Sequence, residues 1–315
     1  MIYKLTPAFY PGFLLSSMSS NKKIIIVVGP TAVGKTAVAI QIANHFDTEI
    51  ISADSRQCYK ELNIGVARPS VDELNTIKHH FIASHSIQDE VTAVDFEQYA
   101  LQKAELLFQK HDVAVMVGGT GLYIKAFCEG LDSIPDIDAT VRQQIITNYE
   151  EKGISWLQNQ LQEKDSAYFE AGEMKNPQRM MRALEVIEST GNSIIFYRKG
   201  QKLERDFSII KLGLELPKEK LVERINRRVD IMMEEGQLDE VKSLAAFKNV
   251  NALQTVGYTE LFDYLDNKML LEEAIGRIKI STRQYAKRQL TWFKKDTAIN
   301  WFRPDEADEI INQIK

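Results

Sequence analysis

Residues 23–36 carry the strongest indication of the fold and read Lys23-Ile-Ile-Ile-Val-Val28-Gly-Pro-Thr-Ala-Val-Gly-Lys-Thr36. Residues 24–28 form a continuous β-branched run, as expected for a strand that is buried on both faces in a parallel sheet. The next eight residues match the pattern G-x-x-x-x-G-K-[ST], and apolar side chains at helical spacing follow them up to Phe46. A strand, a glycine-rich turn and a helix in this order predict a phosphate-binding loop (P-loop).

Such a loop binds phosphate mainly through its backbone. Glycines let N–H groups turn inward around phosphate oxygens, and the N-terminus of the following helix adds its positive dipole. Lys35 would add a positive charge, the Thr36 hydroxyl would face Mg²⁺, and Asp54 at the end of the next strand is a further possible Mg²⁺ ligand. The pattern is typical of nucleotide-binding and ATP-binding proteins, but it indicates a diphosphate and not a particular reaction. The predicted diphosphate-binding residues are Gly29, Pro30, Thr31, Ala32, Val33, Gly34, Lys35 and Thr36.

Strands and helices alternate on both sides of a helical region. Strands are predicted at 49–53, 113–117 and 208–214, with helices at 96–107 and from Pro217 to about Glu235. Residues 138–195 contain no convincing strand and have helix-compatible spacing. We therefore predict an α/β fold, a P-loop NTPase-like parallel sheet core with an inserted all-helical subdomain. The expected boundaries are a flexible N-terminal extension at 1–20, the core with its C-terminal helices at 21–135 and 206–315, and the insert at 136–205.

Composition narrows the class of protein. The chain has 315 residues and a formal net charge of −5, which argues against a protein that coats nucleic acid by bulk charge. Its two cysteines, Cys58 and Cys128, predict neither a disulfide framework nor a cysteine-rich zinc site. His79, His80 and His85 have no partner at ligand spacing, so we expect structural or surface roles for them. No apolar run approaches the roughly 20 residues of a membrane-spanning helix, and a reducing cytoplasm is the expected location.

Positive charge is concentrated near the C-terminus. Residues 277–295 carry seven basic side chains and no acidic one. Lys279, Arg283 and Lys287 recur at intervals of four and therefore share one face of the predicted helix. A solvated charged face is the simpler interpretation, but the lack of acids within the segment favours a surface for nucleic acid. An acidic segment at 305–309 predicts a final surface helix.

Two features of other P-loop proteins are missing from this sequence, which excludes a GTPase and leaves fewer candidates for a Mg²⁺ ligand. A GTPase is excluded because both Asn-Lys sequences, at Asn21 and Asn267, lack the aspartate of the guanine-reading N-K-x-D motif. The strand at 113–117 ends in Gly118-Gly119, where many NTPases place a Mg²⁺-binding acid. Asp54 is the better-placed carboxylate.

Four separated motifs give the chain a family resemblance. It resembles the bacterial tRNA dimethylallyltransferases, also called tRNA isopentenyltransferases, from about Lys23 to Trp292. Two lesser motifs, Asn176–Glu185 and Val256–Tyr258, lie between the main ones. The main motifs are Gly29-Pro-Thr-Ala-Val-Gly-Lys-Thr36, Asp54-Ser-Arg-Gln57 with Tyr59 and Ile64-Gly-Val-Ala-Arg-Pro69, Gly118-Gly-Thr-Gly-Leu-Tyr123, and Ser281-Thr-Arg-Gln-Tyr-Ala-Lys-Arg-Gln-Leu-Thr-Trp292.

The resemblance implies a prenyl transfer. Members of that family move a dimethylallyl group from its diphosphate to N6 of adenosine 37, beside the anticodon, in tRNAs that read codons starting with U. The P-loop would then hold the diphosphate leaving group without ATP, and Lys35, Thr36, Arg224 and Mg²⁺ would stabilise its growing charge. By the same resemblance, Asp54 is the general base. A Mg²⁺ ligand and a helix cap are the other roles open to Asp54.

The resemblance also implies a tRNA-binding surface. Thr120 is expected to be catalytic and to contact the tRNA, although its hydroxyl could instead cap a helix. Gln57 is expected to read the adenine edge through its amide, and Arg142 to reach the anticodon stem from the insert. The full set of predicted tRNA-binding residues is Asp54, Ser55, Arg56, Gln57, Thr120, Arg142, Gln178, Arg179, Met180, Met181, Arg182, Arg283, Lys287 and Arg288.

The expected partners are the anticodon stem-loop of tRNA and dimethylallyl diphosphate, with no membrane, no obligatory protein partner and a monomeric chain. Trp156, Trp292 and Trp301 are expected to be core or interface anchors rather than stacking platforms for bases. One alternative is a P-loop kinase acting on a small molecule or nucleotide, which would not require the basic segment at 277–295. A second is a non-catalytic P-loop module that binds RNA.

Overall fold

The structure of the protein is a computed structural model that describes residues 21–171 and 173–314. Its six-stranded sheet is parallel at every pairing and has the order β3-β2-β4-β1-β5-β6. This arrangement confirms the predicted α/β class. The strands are β1 (Lys23–Val28), β2 (Ile50–Ala53), β3 (His79–His80), β4 (Val113–Gly118), β5 (Ser208–Leu214) and β6 (Ile299–Phe302).

Helices follow the strands and cover both faces of the sheet. The first four are α1 (Lys35–His45), α2 (Val71–Thr76), α3 (Ala93–Phe108) and α4 (Gly121–Glu129). The insert contains α5 (Ala139–Lys164), α6 (Ser166–Glu170), α7 (Pro177–Thr190) and α8 (Ile194–Tyr197). After β5 come α9 (Lys218–Glu234), α10 (Gln237–Ser243), the 3₁₀ turns Ala245–Phe247 and Asn251–Leu253, α11 (Thr259–Leu265), α12 (Leu271–Phe293) and α13 (Ala307–Ile314).

Strand β1 lies in the middle of the sheet and shows why the apolar run is continuous. Ile24, Ile26 and Val28 pack in the hydrophobic cluster on one face, whereas Ile25 and Val27 pack in the cluster on the other. Because successive strand residues point to opposite faces, burial on both sides requires an apolar residue at every position. The parallel pairing brings the carboxyl ends of β1, β2 and β4 to the same edge, where ligands bind in open α/β sheets.

The insert has a hydrophobic core of its own. Ile145 and Leu161 of α5 pack with Tyr168 of α6 and Leu184 of α7, away from the sheet. Gly153 interrupts the helical backbone of α5, since its φ is 73°. Every regular element described between residues 139 and 197 is a helix. The structure therefore contains a helical unit between β4 and β5, while its exact domain boundaries stay a prediction.

Element predictions hold best where periodicity is strong. The predicted helix at 96–107 begins earlier, at Ala93, because Thr92 and Asp95 form a capping box. Strands β3 and β6 were not predicted from the sequence. Helix α13 is only partly a surface helix, since it buries Ala307, Ile310 and Ile314.

The predicted N-terminal extension at 1–20 lies outside the described residues. Within the described part of the chain, no helix is long and apolar enough to span a bilayer.

Candidate active site

Three loops meet at the carboxyl edge of the sheet. The P-loop follows β1, residues 54–57 follow β2, and residues 119–120 follow β4. Gly118 pairs with Ala53 so closely that a Cβ at residue 118 would lie 2.1 Å from the Ala53 carbonyl oxygen. The backbone N–H of Thr120 also donates to that oxygen, at 3.2 Å. A glycine is therefore required at 118 to bring the second and third loops together.

The P-loop is folded as its motif predicts. Gly34 precedes α1 with a φ of 106°, a left-handed conformation that favours glycine. The Nζ of Lys35 donates to the Pro30 carbonyl at 2.8 Å, so the lysine closes over the loop. Burial and the nearby Arg228 guanidinium lower the pKa of Lys35 to about 8, and the Asp54 carboxylate opposes this shift. The Lys35 ammonium is thus repelled by the Arg228 guanidinium and attracted by the Asp54 carboxylate.

Two arginines of α9 extend the positive charge of the loop. Arg224 Nη1 donates to the Val33 carbonyl at 3.3 Å, and Arg228 Nη1 donates to the Thr31 hydroxyl at 3.4 Å. Burial first, and Arg224 second, lower the pKa of Arg228. The structure places Arg224 where the resemblance implied, beside the P-loop. Arg228 was not predicted as a site residue, although its spacing of four from Arg224 puts both on one helix face.

Gln289 of α12 was also missed, and it joins two of the loops. Its Oε1 accepts from the Thr31 N–H at 2.8 Å, and its Nε2 donates to the Gly119 carbonyl at 2.9 Å. The side chain is buried. Gln289 lies inside the motif at 281–292, but nothing local in the sequence identifies its partners. They come from loops far away in the chain.

Asp54 follows β2 and organises the turn after it. Its Oδ1 accepts from the N–H groups of Arg56 and Gln57 at 2.9 and 3.2 Å. Its Oδ2 accepts no hydrogen bond from the residues that the structure describes, so this oxygen can receive a proton or bind a cation. Residues 55–58 form a turn and not a helix, so the helix-cap interpretation of Asp54 is wrong.

Thr120 connects the second loop to the third. It occupies the N-cap position of α4, but its hydroxyl forms no capping hydrogen bond, which makes that interpretation wrong too. The Thr120 Oγ1 instead accepts from the Ser55 N–H at 3.0 Å and lies 3.3 Å from the Ser55 hydroxyl. Thr120 is therefore held against the turn that carries Asp54.

The structure contradicts the predicted use of the Gln57 amide. Its Nε2 donates to the carbonyls of Val66 and Ala67, at 3.2 and 2.9 Å, and its Oε1 lies 3.5 Å from the Ser52 hydroxyl. Both amide hydrogens are thereby committed to the protein backbone. Gln57 holds its own loop and has no free donor for an adenine edge.

Helix α12 places basic and aromatic side chains next to this site. Burial and the Asp54 carboxylate raise the pKa of Tyr285, which the neighbouring Arg56 and Arg288 oppose. Trp292 lies against Gly121 with 40% of its surface exposed, so it is not a core anchor, and the interface role stays a prediction for this tryptophan. Trp156 and Trp301 do pack against the hydrophobic clusters. A surface depression of about 230 Å³ is lined by Lys287, Arg288, Thr291, Trp292 and Lys295.

The basic segment at 277–295 is partly neutralised by acids that lie outside it, one on an earlier turn of α12 and two on other parts of the chain. Arg277, Lys279 and Lys294 form ion pairs with Glu273, Asp230 and Glu215, respectively. Among the described residues, no salt bridge involves the four remaining basic side chains, which are Arg283, Lys287, Arg288 and Lys295. The positive surface is therefore smaller than the sequence suggests and lies toward the C-terminal half of α12.

The predicted tRNA-binding residues of the insert lie on α5 and α7 and are not among the side chains that contact the three loops. Arg142 pairs with Glu90 of the core at 2.8 Å, whereas Arg179 pairs with Glu173 at 2.9 Å. Gln178 is exposed, and Arg182 bonds to Glu185 at 3.2 Å.

Met180 and Met181 do not lie where the predicted contact with tRNA requires them. Met180 is fully buried and Met181 is 6% exposed, and both pack in the hydrophobic core of the insert. Side chains that α7 turns inward to exclude water cannot also contact an RNA surface. The tRNA-binding assignment is therefore withdrawn for these two methionines.

A divalent metal would find few protein ligands here. Within the described ranges, no group of three or more His, Cys, Asp or Glu side chains could hold a metal ion. The Thr36 hydroxyl and the free oxygen of Asp54 are oxygen donors of the type that Mg²⁺ takes when phosphates of a substrate supply further ligands. The site therefore fits a metal that binds together with a diphosphate.

His80, one of the three histidines for which structural or surface roles were expected, has a structural partner. Its Nε2 lies 2.5 Å from the Glu49 carboxylate.

Comparison with known proteins identifies the family. The sequence profile described as IPP transferase matches residues 57–296, which is more than half of the chain. This chain belongs to the IPP transferase family. It is 50% identical over 288 residues to the tRNA dimethylallyltransferase of Christiangramia forsetii, a match that covers 91% of this chain and 95% of the relative. It is 44% identical to tRNA dimethylallyltransferase 1 of Bacteroides thetaiotaomicron, with 93% and 95% covered.

Solved structures of IPP transferases share this architecture. The tRNA isopentenylpyrophosphate transferase of Bacillus halodurans has a TM-score of 0.69 and 33% identity, with 93% of this chain and 95% of that chain covered. A eukaryotic dimethylallyltransferase, described as acting on tRNA, has a TM-score of 0.69 and 28% identity, with 86% and 70% covered. These relatives are prenyl transferases, and the kinase alternative is not favoured.

Proposed function

We propose that this IPP transferase moves a dimethylallyl group from dimethylallyl diphosphate to N6 of adenosine 37 in the anticodon loop of tRNAs that read codons starting with U. One observation carries the proposal. A P-loop with Lys35, Arg224 and Arg228 around it lies at the same sheet edge as the free carboxylate oxygen of Asp54. A site for an anionic leaving group thus stands beside a site for a base.

The cations would act on the leaving group. As the bond between the allylic carbon and the diphosphate oxygen breaks, negative charge grows on the diphosphate. Donors that are already fixed in place stabilise this charge without reorganisation. Lys35 and both arginines are so fixed, because each bonds to the backbone or hydroxyl of the P-loop. Mg²⁺ held by Thr36, with Asp54 as a second possible ligand, would neutralise part of the same charge.

Asp54 would act on the acceptor. The N6 nitrogen forms its bond to the allylic carbon and gives up a proton, which the Oδ2 of Asp54 can take. Its Oδ1 is held by two backbone N–H groups, so the carboxylate is oriented before substrate binds. The Thr120 hydroxyl would contact the RNA beside this carboxylate. Asp54 could serve as the base or as a Mg²⁺ ligand, and these roles are separated by the experiment below.

The RNA would approach over the exposed cations. A base inside an anticodon loop has to leave its stack to reach a pocket. Arg283, Lys287 and Arg288 supply positive charge on α12 beside the site. Arg142, Arg179 and Arg182 of the insert would exchange their carboxylate partners for phosphates of the tRNA, with Arg142 at the anticodon stem. The exposed Gln178 would contact the tRNA beside them. The protein would work in the cytoplasm as a monomer, without an obligatory protein partner.

The test is incubation of the purified chain with Mg²⁺, dimethylallyl diphosphate and an unmodified anticodon stem-loop that contains A36 and A37, followed by mass spectrometry of the RNA. We expect the gain of one C5H8 unit on A37. Asp54→Asn should bind the RNA normally but lose about 10²–10⁴-fold in rate, the usual contribution of a positioned base. If Asp54 is instead a Mg²⁺ ligand, excess Mg²⁺ will restore much of the rate. No gain of mass, together with phosphate transfer from ATP, would refute the proposal.

A further inference from the structure

The loop that follows β2 is closed by its own hydrogen bonds. This segment, residues 54–68, carries Asp54 at its start and is here named the Asp54 loop. The Gln57 amide donates to the carbonyls of residues 66 and 67, and Arg68 Nη2 donates to the carbonyls of Tyr59 and Lys60 at 2.7 and 3.1 Å. The far half of the loop, residues 63–67, is thus tied directly to the turn that holds Asp54.

One carboxylate from a distant helix binds this far half. Glu240 of α10 accepts from three successive backbone N–H groups, those of Asn63, Ile64 and Gly65, at 3.0, 2.8 and 3.0 Å. It also accepts from the Tyr258 hydroxyl at 2.5 Å. Consecutive N–H groups that converge on one anion form a nest, and charge-assisted bonds of this kind are among the stronger hydrogen bonds.

The Tyr258 ring holds the same point from a second direction. A Cβ at Gly65 would lie 2.6 Å from that ring, so the tyrosine packs directly on the loop backbone. Tyr258 is buried, and burial together with Glu240 raises its pKa, so its hydroxyl remains a donor. Arg56 adds a third attachment, since its Nη1 donates to the Asn251 carbonyl at 3.0 Å. Residues from 240 to 258 therefore fix the position of the Asp54 loop.

A short series of hydrogen bonds connects Glu240 to Asp54. The carboxylate fixes residues 63–65, the next two carbonyls accept from Gln57, and the Gln57 N–H donates to Asp54 Oδ1. We infer that Glu240 is a positioning residue for the transfer reaction, which it supports by holding the Asp54 loop in its active conformation. This role rests on the proposed function of Asp54. It concerns mainly the rate of transfer, because the cations of α12 that would supply most of the affinity for RNA do not contact Glu240.

The test is Glu240→Gln in the full chain. An amide keeps one accepting oxygen and turns an NH₂ group toward the other donors, so the far half of the loop loses about half of its hydrogen bonds and the charge that strengthens them, while the side chain keeps its size. Displacement of a catalytic group by about 1 Å can cost about 10²-fold in rate. We expect a 10- to 100-fold lower single-turnover rate with both substrates saturating and an RNA Kd within about threefold of the parent value. Deuterium exchange should increase within residues 54–68.

Two further variants make the result specific. Asp239→Asn is the matched control, because Asp239 is the neighbour of Glu240 and its side chain is 80% exposed and pairs with Lys242 on the surface. It should leave rate and exchange unchanged. Tyr258→Phe removes one of the four donors to Glu240 and should lower the rate about two- to fivefold without changing RNA affinity.

The outcomes separate this inference from the proposed function. A folded Glu240→Gln protein with the parent rate would overturn the inference, as would a rate that falls only in proportion to the folded fraction. If that variant does not fold, an unchanged rate in Tyr258→Phe would overturn it. If the parent protein transfers no dimethylallyl group, the proposed function fails. The anchoring role of Glu240 can still be tested in that case, because unchanged deuterium exchange in residues 54–68 of Glu240→Gln would overturn it.

Discussion

The lowered pKa of Lys35 makes diphosphate binding sensitive to pH. Lys35 is half-buried beside the Arg228 guanidinium, and its pKa is about 8 instead of the ordinary 10.5. The protonated lysine attracts a diphosphate, whereas the neutral amine does not. We therefore expect the affinity of the P-loop for dimethylallyl diphosphate to fall as the pH rises through 8, well below the range in which a solvent-exposed lysine titrates.

The magnitude follows from the titration of one group. With a pKa of about 8, roughly one Lys35 in eleven is protonated at pH 9, so binding should weaken about tenfold between pH 7 and pH 9, or about 1.4 kcal/mol. The stability of the free protein should change in the opposite direction. Because the folded pKa is lower than the unfolded one, burying the charged lysine destabilises the protein below pH 8, and this destabilisation disappears as the pH rises from about 8 to 10.5.

The assay is calorimetric titration with dimethylallyl diphosphate in the absence of RNA, from pH 6.5 to 9.5 at constant ionic strength. Lys35→Met and Lys35→Arg are the controls, because neither side chain titrates in this range while the ligand and its own ionisation are the same. Between pH 7 and pH 9, the Kd of the parent protein for dimethylallyl diphosphate should rise about tenfold more than the Kd of either variant. Parallel curves for all three proteins would show that Lys35 does not titrate near pH 8.

Three further predictions concern the loops and the basic helix. Gly118→Ala should destabilise the protein by about 3 kcal/mol or more, since the new Cβ would meet the backbone of Ala53; a chemical denaturation midpoint like that of the parent would contradict this. Gln289→Leu should cost about 2–4 kcal/mol in urea denaturation, because it leaves a buried N–H and a buried carbonyl unpaired, and a loss below about 1 kcal/mol would show that the bridge is weak. The double variant Arg283→Gln, Lys287→Gln should make the slope of log K against log salt for RNA binding less negative by about 1.4, at about 0.7 for each lost phosphate contact. An unaltered slope would show that the RNA does not contact these two side chains.

Local patterns in the sequence were sufficient for the core of the site. The apolar run at 24–28 required a strand buried on both faces, and the spacing of Gly29, Gly34 and Lys35 required a turn that wraps phosphate. Both features depend on neighbouring residues alone, which is why they could be predicted. The predicted parallel sheet is consistent with the meeting of the three loops, because parallel strands place their carboxyl ends at one edge of the sheet.

Short elements with weak periodicity could not be predicted in the same way. Strand β3 has two residues and β6 has four, too few for alternation to stand out. Both are edge strands, and each pairs with one neighbour, β3 with β2 and β6 with β5. Whether such a segment becomes a strand depends on its neighbour in space and not on its own sequence.

Local sequence patterns were enough to predict the α/β class, the phosphate-binding loop and the position of Asp54 after its strand, and the family motifs added Thr120 before α4 and Arg224 within α9. Which side chains these residues contact depends on how the chain packs in three dimensions. Gln289 bonds to a backbone group 258 residues away, and Glu240 bonds to one 177 residues away. The physical reason is that hydrogen bonds and burial depend on distances across the packed chain, and sequence spacing specifies such distances only within a single helix, strand or turn.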